Sequence, residues 1–207
     1  MDTHEPYRPD LSVGHLFARS WPLFKDNLGV LVGAFIVYSI LVGMGSNFTD
    51  EHTSFNLLGL VSFIIAGPLT AGLYAMVLRV QRHEPVVFSD LFEGFREFGR
   101  AFGVYVLTTI ALIVGFLLLV VPGIILAVGL WPGLFLVMDD DLGVVDTLKE
   151  AWALTDGYRL QLFGLGVVML FFTLAGLLAL IVGVFFTGAF AVLVMAAAYE
   201  ELVLAEA

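Results

Sequence analysis

The chain has 207 residues, of which 60% are hydrophobic and 14% are charged, and its mean hydropathy is +1.00. A soluble domain averages about 25% charged and about 45–50% apolar residues, so a soluble core could not bury this much apolar surface. We therefore expect one compact membrane domain with no separate soluble catalytic domain. The net charge of −10 argues against nucleic-acid binding, and the absence of cysteine excludes disulfides and thiolate sites.

The N-terminal part of the chain predicts a tail, a short helix and a first span. Residues 1–11 are polar and lack the basic and apolar regions of a cleaved signal peptide. The membrane domain is expected over 12–203, with a C-terminal tail at 204–207. A short helix is predicted from Val13 to about Lys25, because its apolar residues recur at helical spacing. The first span is predicted at 28–45.

The next segment predicts a second span followed by a surface helix. Residues 57–80 are apolar and form the second span, which we expect to be kinked at Gly67 and Pro68. Residues 89–100 then predict a short amphipathic helix. Its aromatic residues would face acyl chains and its charged residues would face water.

An uncharged tract of 38 residues, 101–138, follows. As one straight helix it would measure about 57 Å, nearly twice the ~30 Å hydrocarbon core of a bilayer. The tract must therefore fold back once, and Pro122 and Gly123 provide the bend. The predicted third and fourth spans are 101–121 and 123–138.

The last part of the chain repeats this arrangement. A third short helix is predicted at about 146–156, and a second uncharged tract of 38 residues covers 162–199. This tract must also fold back, and Gly183 is the expected turn. The predicted fifth and sixth spans are 162–182 and 184–202.

The predicted fold class is an all-α integral membrane protein with six transmembrane helices in three hairpins, each preceded by a short cytoplasmic amphipathic helix. One interpretation of this recurring unit is a pseudo-threefold internal repeat. The alternative is that any six-span protein with short loops shows the same pattern. All nine Lys and Arg residues lie before span one, between spans two and three, or between spans four and five. The positive-inside rule then predicts cytoplasmic N and C termini.

Residues that carry chemistry are scarce. No ionisable residue lies near the middle of a predicted span, which argues against a proton-coupled pump. No nucleophile motif, phosphate loop or metal-ligand spacing occurs, so we predict no enzyme activity, no cofactor and no metal. Arginines at the expected headgroup level are candidates for binding lipid phosphates, and topology determination alone is the alternative. They are Arg79, Arg82, Arg96, Arg100 and Arg159. The candidate kink and hairpin positions are Gly67, Pro68, Pro122, Gly123, Pro132 and Gly183.

Five segments suggest a family by their order. They are WPLFKDNLG (21–29), GPLTAGLYAMVLRV (67–80), FSDLFEGF (88–95), VPGIILAVGLW (121–131) and DTLKEAWALTDGYRLQLFGL (146–165). Together they resemble the membrane domain of glycerophosphoryl diester phosphodiesterases and related uncharacterised six-span bacterial membrane proteins. The resemblance implies six helices in a bacterial or archaeal cytoplasmic membrane. It implies no catalysis, because the phosphodiesterase barrel that carries the chemistry is missing.

Two functional hypotheses follow. The first is a non-enzymatic scaffold of a prokaryotic cytoplasmic membrane, which organises lipids, a membrane protein partner or further copies of itself. The alternative is a channel or facilitator for a small neutral or amphipathic solute. A third hypothesis, an intramembrane lipid enzyme, lacks charged catalytic groups. A wet central cavity lined by Tyr38, Tyr74, Tyr105 and the threonines of the spans would favour transport, whereas a dry bundle in which these groups are bonded would favour the scaffold.

Overall fold

The computed structural model describes residues 7–43, 57–178 and 181–206, and every regular element in these ranges is helical. Residues 44–56, which include the end of the predicted first span and its connection to the second, lie outside the described residues. A 3-10 helix, Phe88–Phe95, is placed between the third and fourth α-helices. The α-helices are α1 Val13–Asp26, α2 Leu28–Gly43, α3 Leu57–Gln81, α4 Phe98–Leu118, α5 Val120–Leu130, α6 Gly133–Asp139, α7 Val144–Leu154, α8 Arg159–Leu178 and α9 Ile181–Glu206.

The protein is an all-α, multi-pass integral membrane protein, as the sequence predicted. Five segments are long and apolar enough to cross a bilayer, and α1 with α2 qualifies as a sixth if this bent pair is counted as one span. As predicted, a short helix precedes each pair of long ones, namely α1, the 3-10 helix and α7. The five segments are Leu57–Gln81, Phe98–Leu118, Val120–Asp139, Arg159–Leu177 and Gly183–Glu206.

The bend between α1 and α2 measures 94° and is centred on Asn27. The backbone N–H of Asn27 donates to the carbonyl oxygen of Leu23 at 3.1 Å, and its side-chain amide donates to the same oxygen at 3.0 Å. This double hydrogen bond caps the end of α1, and the chain then starts α2 in a new direction. Pro22 lies inside α1 and does not end it.

Burial separates central helices from peripheral ones. In the most apolar windows of α3 and α9, 61% of residues are buried, compared with 17% in α4 and 22% in α8. Helices α3 and α9 therefore form the centre of the bundle, where each contacts α1 and α2 as well as the other. The apolar outer faces of α4 and α8 are left for lipid.

The first hairpin turns earlier than predicted. Helix α4 ends at Leu118, and Leu119, with an extended backbone, connects it to α5. Pro122 lies in the first turn of α5, where a missing N–H leaves no hydrogen bond unmade. Gly123 serves close packing instead of bending, since a Cβ on Gly115 would lie only 3.0 Å from the Cα of Gly123. The prediction of a fold-back at Pro122 and Gly123 was thus about three residues late.

The second hairpin also turns before the predicted glycine. Helix α8 ends at Leu178 and α9 begins at Ile181, and residues 179–180 are outside the described part of the chain. Gly183 belongs to α9, where its carbonyl accepts a hydrogen bond from Thr187 at 3.0 Å. A Cβ on Gly176 of α8 would lie 2.8 Å from that carbonyl oxygen, so the two helices cross closely at this glycine.

The predicted span 123–138 consists of two helices. Helix α5 ends at Leu130, and α6 begins after Pro132, which occupies the N-cap position of α6. Proline cannot donate the hydrogen bond that would continue α5, so the chain breaks where the sequence placed a kink. The two helices still form one candidate span, Val120–Asp139, and α6 packs against α3.

The 3-10 helix packs tightly against the C-terminal half of α3. A Cβ on Gly72 would lie 2.0 Å from the carbonyl oxygen of Leu91. A Cβ on Gly94 would lie 2.1 Å from the carbonyl oxygen of Pro68. Backbone therefore touches backbone at this crossing, which only glycine permits. Pro68 lies within the continuous α3, and its carbonyl faces the 3-10 helix.

Replacing Gly94 with alanine should destabilise the protein. The new Cβ would strike the Pro68 carbonyl, and backbone atoms cannot move aside as a flexible side chain can, so overpacking should cost about 1–3 kcal/mol. The matched control is Gly99→Ala in α4, where a Cβ meets nothing within 4 Å. Thermal unfolding in detergent, followed by tryptophan fluorescence, measures both variants. Equal melting temperatures for Gly94→Ala and Gly99→Ala would contradict the close crossing.

Candidate functional site: a charged network at the ends of α3, α6 and α9

Arg82 joins three helices. It follows the end of α3, and its Nη1 and Nη2 donate to the two carboxylate oxygens of Asp139 in α6 at 2.7 and 2.9 Å. Its Nε donates to Glu200 of α9 at 2.8 Å. The bond to Asp139 is the largest influence on the pKa of Arg82 and raises it, so the guanidinium stays charged. A bidentate arginine–carboxylate pair also fixes the relative orientation of the two helices.

A stack of aromatic rings lies next to this ion pair. The hydroxyl of Tyr199 donates to Asp139 at 3.0 Å. The ring of Phe135 is sandwiched between Tyr199 and Tyr74, with centroid distances of 5.2 and 4.0 Å. Phe135 and Tyr199 are completely buried. The stack therefore fills the space between α3, α6 and α9 beside the charged network.

Arg79 forms a second ionic cluster one turn earlier in α3. Its guanidinium contacts Asp90 at 3.1 Å and Glu93 at 2.7 Å, both in the 3-10 helix. Arg79 and Arg82 both line a cavity of about 130 Å³. The other lining residues are Ala75, Leu78, Glu84, Glu93, Met138 and Asp139.

Carboxylates outnumber guanidiniums around this cavity. Asp90, Glu93, Asp139 and Glu200 contact the two arginines directly, and Glu84 lines the same space. Both positive charges are therefore neutralised by protein groups in this conformation. An anion entering from solution would have to displace a carboxylate to reach either guanidinium.

The remaining three predicted arginines do not line the cavity. Arg96 is 81% exposed and pairs weakly with Glu93 at 3.4 Å. Arg100 pairs with Glu97 at 2.9 Å and also donates to carbonyl oxygens of α6 and of the segment that follows it. The guanidinium of Arg159 lies 3.7 Å from the ring centroid of Trp152, a cation–π contact. Lipid phosphate binding by the five arginines stays a prediction.

Of the three tyrosines named above as possible pore-lining residues, Tyr38 is bonded within the protein, and so are several Ser and Thr hydroxyls of the spans. Tyr38 and Thr70 share a hydrogen bond of 3.2 Å between α2 and α3, and Thr70 also donates to the Ala66 carbonyl. Ser62 donates to the Leu41 carbonyl at 3.2 Å. Other hydroxyls bond to the carbonyl four residues earlier in their own helices, namely those of Ser39, Thr109, Thr173 and Thr187.

Two buried polar residues that connect helices were not predicted from the sequence. Glu201 of α9 is 3% exposed and accepts hydrogen bonds from the Tyr7 hydroxyl, from Arg19 at 3.0 Å and from the Asp10 backbone at 3.3 Å. The bond to Glu201 raises the pKa of Tyr7. The sequence did not reveal that Glu201 is buried, because an acidic residue that follows a long apolar tract is usually solvated.

Gln81 is the second buried residue. It is 2% exposed, and its side-chain amide donates to Ser20 of α1 at 3.1 Å and to the Leu193 carbonyl of α9 at 2.9 Å. It therefore links α1, α3 and α9 at the level where α3 ends. As for metal sites, the described residues contain no group of three His, Asp or Glu placed to hold a metal ion.

The sequence model of the EI24 family, described as sulfate transporter CysZ/etoposide-induced protein 2.4, matches residues 9–183. The chain belongs to this family. The resemblance to the membrane domain of glycerophosphoryl diester phosphodiesterases was therefore wrong. Its motifs were mostly glycine, proline and aromatic residues, which mark close crossings such as Gly72 and breaks such as Pro132 in many membrane proteins. No curated protein and no solved structure matches the chain.

The EI24 match covers α1 to α8 and ends at the start of α9. Arg79, Arg82 and Asp139 lie within the matched region, whereas Tyr199, Glu200 and Glu201 follow it. The family description names a transporter and no enzyme activity.

Replacing Glu201 with glutamine should release the N-terminal segment from α9. Arg19 would lose its buried charged partner, and a charge-assisted hydrogen bond of this kind contributes about 1.5–3 kcal/mol. We expect faster trypsin cleavage after Arg19 in the folded protein. Glu200→Gln is the control, because Glu200 pairs with Arg82 and not with the N-terminal segment. Identical cleavage rates for the two variants would contradict the role assigned to Glu201.

Proposed function

We propose that this protein is a channel or facilitator for a small oxyanion, with sulfate as the first candidate. Membership of a family described as a sulfate transporter is the observation that carries the proposal. It favours the transport alternative over the scaffold hypothesis. It also changes the expected solute from a neutral molecule to an anion. The hydroxyls of Tyr38, Thr70 and Ser62 are bonded within the protein, so the proposed path does not run along these groups in the described conformation.

The cavity lined by Arg79 and Arg82 is the proposed cytoplasmic end of the path. An arginine fork binds the oxygens of a tetrahedral oxyanion in the same bidentate manner as those of a carboxylate. Sulfate could thus exchange with Asp139 on Arg82, and breaking this pair would remove the ionic contact between α6 and the end of α3. In the described conformation the carboxylates hold the arginines and the Tyr74–Phe135–Tyr199 stack closes the space beside them. We assign this conformation to a closed state.

Passive movement fits the chemistry of the helices. No Asp, Glu, Lys, Arg or His lies near the middle of the apolar tracts, so they contain no group that could relay a proton. The driving force would then be the solute gradient itself.

The distribution of Lys and Arg supports an orientation with both termini in the cytoplasm. A prokaryotic cytoplasmic membrane is the proposed location. The proposed partners are membrane lipids, and a membrane protein partner or further copies of the chain are the alternatives that the sequence raised.

Uptake of radiolabelled sulfate into proteoliposomes tests the proposed function. Arg82→Lys keeps the charge but loses the bidentate fork, and we expect it to lower the sulfate flux roughly tenfold, equivalent to about 1.4 kcal/mol. Arg96→Lys is the matched control, because Arg96 is exposed and outside the cavity. Glycerol uptake, measured in parallel, reports a neutral-solute path.

Two results would reject the proposal. Sulfate uptake no faster than in protein-free liposomes would exclude sulfate transport. Glycerol uptake without sulfate uptake would restore the neutral-solute facilitator.

A further inference from the structure

A groove lies between the N-terminal segment and α8. Residues Pro9–Val13 cross the first turns of α8 and leave a space of about 470 Å³ between them. On the α8 side it is lined by Gln161, Gly164, Leu165 and Val168. These residues have the spacing of one helical face, so the groove runs along the helix.

The wall formed by α8 changes from polar to apolar along the groove. Gln161 lies near the start of the helix, while the buried Leu165 and then Val168 continue into the uncharged tract. Gly164 keeps the groove wide, since a Cβ at this position would meet nothing within 4 Å. The groove therefore suits a molecule with a polar end and an apolar chain.

The surroundings of α8 place the groove next to lipid. Leu160 is 83% exposed, and Leu170 and Phe171 are exposed further along the helix. Apolar side chains left uncovered on a membrane helix contact acyl chains. A lipid molecule can therefore reach the groove sideways from the bilayer.

The opposite wall is held by tertiary contacts. The Tyr7 hydroxyl and the backbone N–H of Asp10 both donate to the buried Glu201 of α9, and Arg19 pairs with the same carboxylate. These bonds fasten the segment on both sides of Pro9–Val13. The groove is thus built by the fold and does not depend on a ligand to form its second wall.

Charge at the rim selects the headgroup. Asp10 is the only charged residue among those that line the groove, and its side chain is 56% exposed. A hydrogen bond from Ser12 lowers the pKa of Asp10, so the carboxylate is ionised at neutral pH. His15 faces it, with Nδ1 at 3.7 Å from the carboxylate. A negative rim repels an anionic headgroup and attracts an ammonium group.

We propose that this groove binds one phospholipid whose headgroup carries a primary ammonium, namely phosphatidylethanolamine. The ammonium group donates a hydrogen bond to Asp10, and an acyl chain lies along Gly164 and Val168. This site is separate from the cavity at Arg79 and Arg82, and it does not depend on sulfate transport.

Native mass spectrometry of protein released from nanodiscs tests the site. The probe is an equimolar mixture of phosphatidylethanolamine, phosphatidylcholine and phosphatidylglycerol. We expect the native chain to retain one phosphatidylethanolamine in preference to the other two lipids. Phosphatidylcholine has no N–H to donate, and phosphatidylglycerol has no ammonium group.

Two variants locate the site. Gly164→Leu fills the groove and should abolish the preferential retention, whereas the control Gly166→Leu should keep it, because Gly166 has equal open space but does not line the groove. Asp10→Asn should lower the preference for phosphatidylethanolamine over phosphatidylcholine roughly three- to tenfold, as expected for loss of one charge-assisted hydrogen bond. Thermal unfolding confirms that each variant is folded.

Three outcomes would overturn the proposal. The first is equal retention of all three lipids by the native chain. The second is equal retention of phosphatidylethanolamine by folded Gly164→Leu and Gly166→Leu. The third is a mass corresponding to two chains in place of the lipid adduct, which would assign the groove to a second copy. If Gly164→Leu does not fold, the Asp10→Asn variant decides the question. A preference of this variant for phosphatidylethanolamine over phosphatidylcholine equal to that of the native chain would reject the site.

Discussion

Close packing through small residues is the constraint on which this structure depends. Within hydrocarbon, helices gain nothing from hiding apolar side chains from one another, so they associate through close backbone approach and a few hydrogen bonds. The chain provides such approaches at Gly72 against Leu91 and at Gly188 against the ring of Phe35. Gly115 and Gly176 do the same within the two hairpins. Each crossing would be blocked by a single Cβ.

The ionic contacts have a different distribution. They join helix ends, where water and headgroups reduce the cost of carrying a charge. Arg82 ties α3 to α6 and α9, and Glu201 ties the N-terminal segment to α9. Helix α6, with 7 residues, is also held by packing, since Phe135, Leu136 and Val137 are almost completely buried. Under the proposed function, an anion that competes for Arg82 would replace the ionic contact to Asp139 and leave this packing in place.

Much of the fold could be predicted from the sequence, because hydrocarbon thickness and charge-free length together determine how often a tract must cross. The two tracts of 38 uncharged residues predicted two hairpins, and both exist. The positions of the two turns were predicted less accurately. Proline can occupy the first turn of a helix and glycine can serve packing, so Pro122, Gly123 and Gly183 marked helix starts and contacts instead of turns.

The candidate site was only partly predictable. Arg79 and Arg82 were predicted to lie at the headgroup level, but their partners come from α6, α9 and the 3-10 helix, and such pairings depend on tertiary structure. Gln81 and Glu201 were overlooked for the same reason. The family itself was misjudged, because the motifs that suggested it report helix packing and not the solute. The family match, in turn, supplied a function that the side-chain geometry alone would not have named.

The central functional claim is that solute passes the cavity between α3 and α6, and a reversible cross-link across this cavity tests it most directly. Leu78 and Met138 line the cavity from the two sides, and the chain has no native cysteine to interfere. The double variant Leu78→Cys, Met138→Cys is reconstituted and joined by a short disulfide-containing bismaleimide. We predict that cross-linking stops sulfate flux and that reduction restores it. Sulfate flux that is the same before cross-linking, after it and after reduction would show that the path does not pass between these helices.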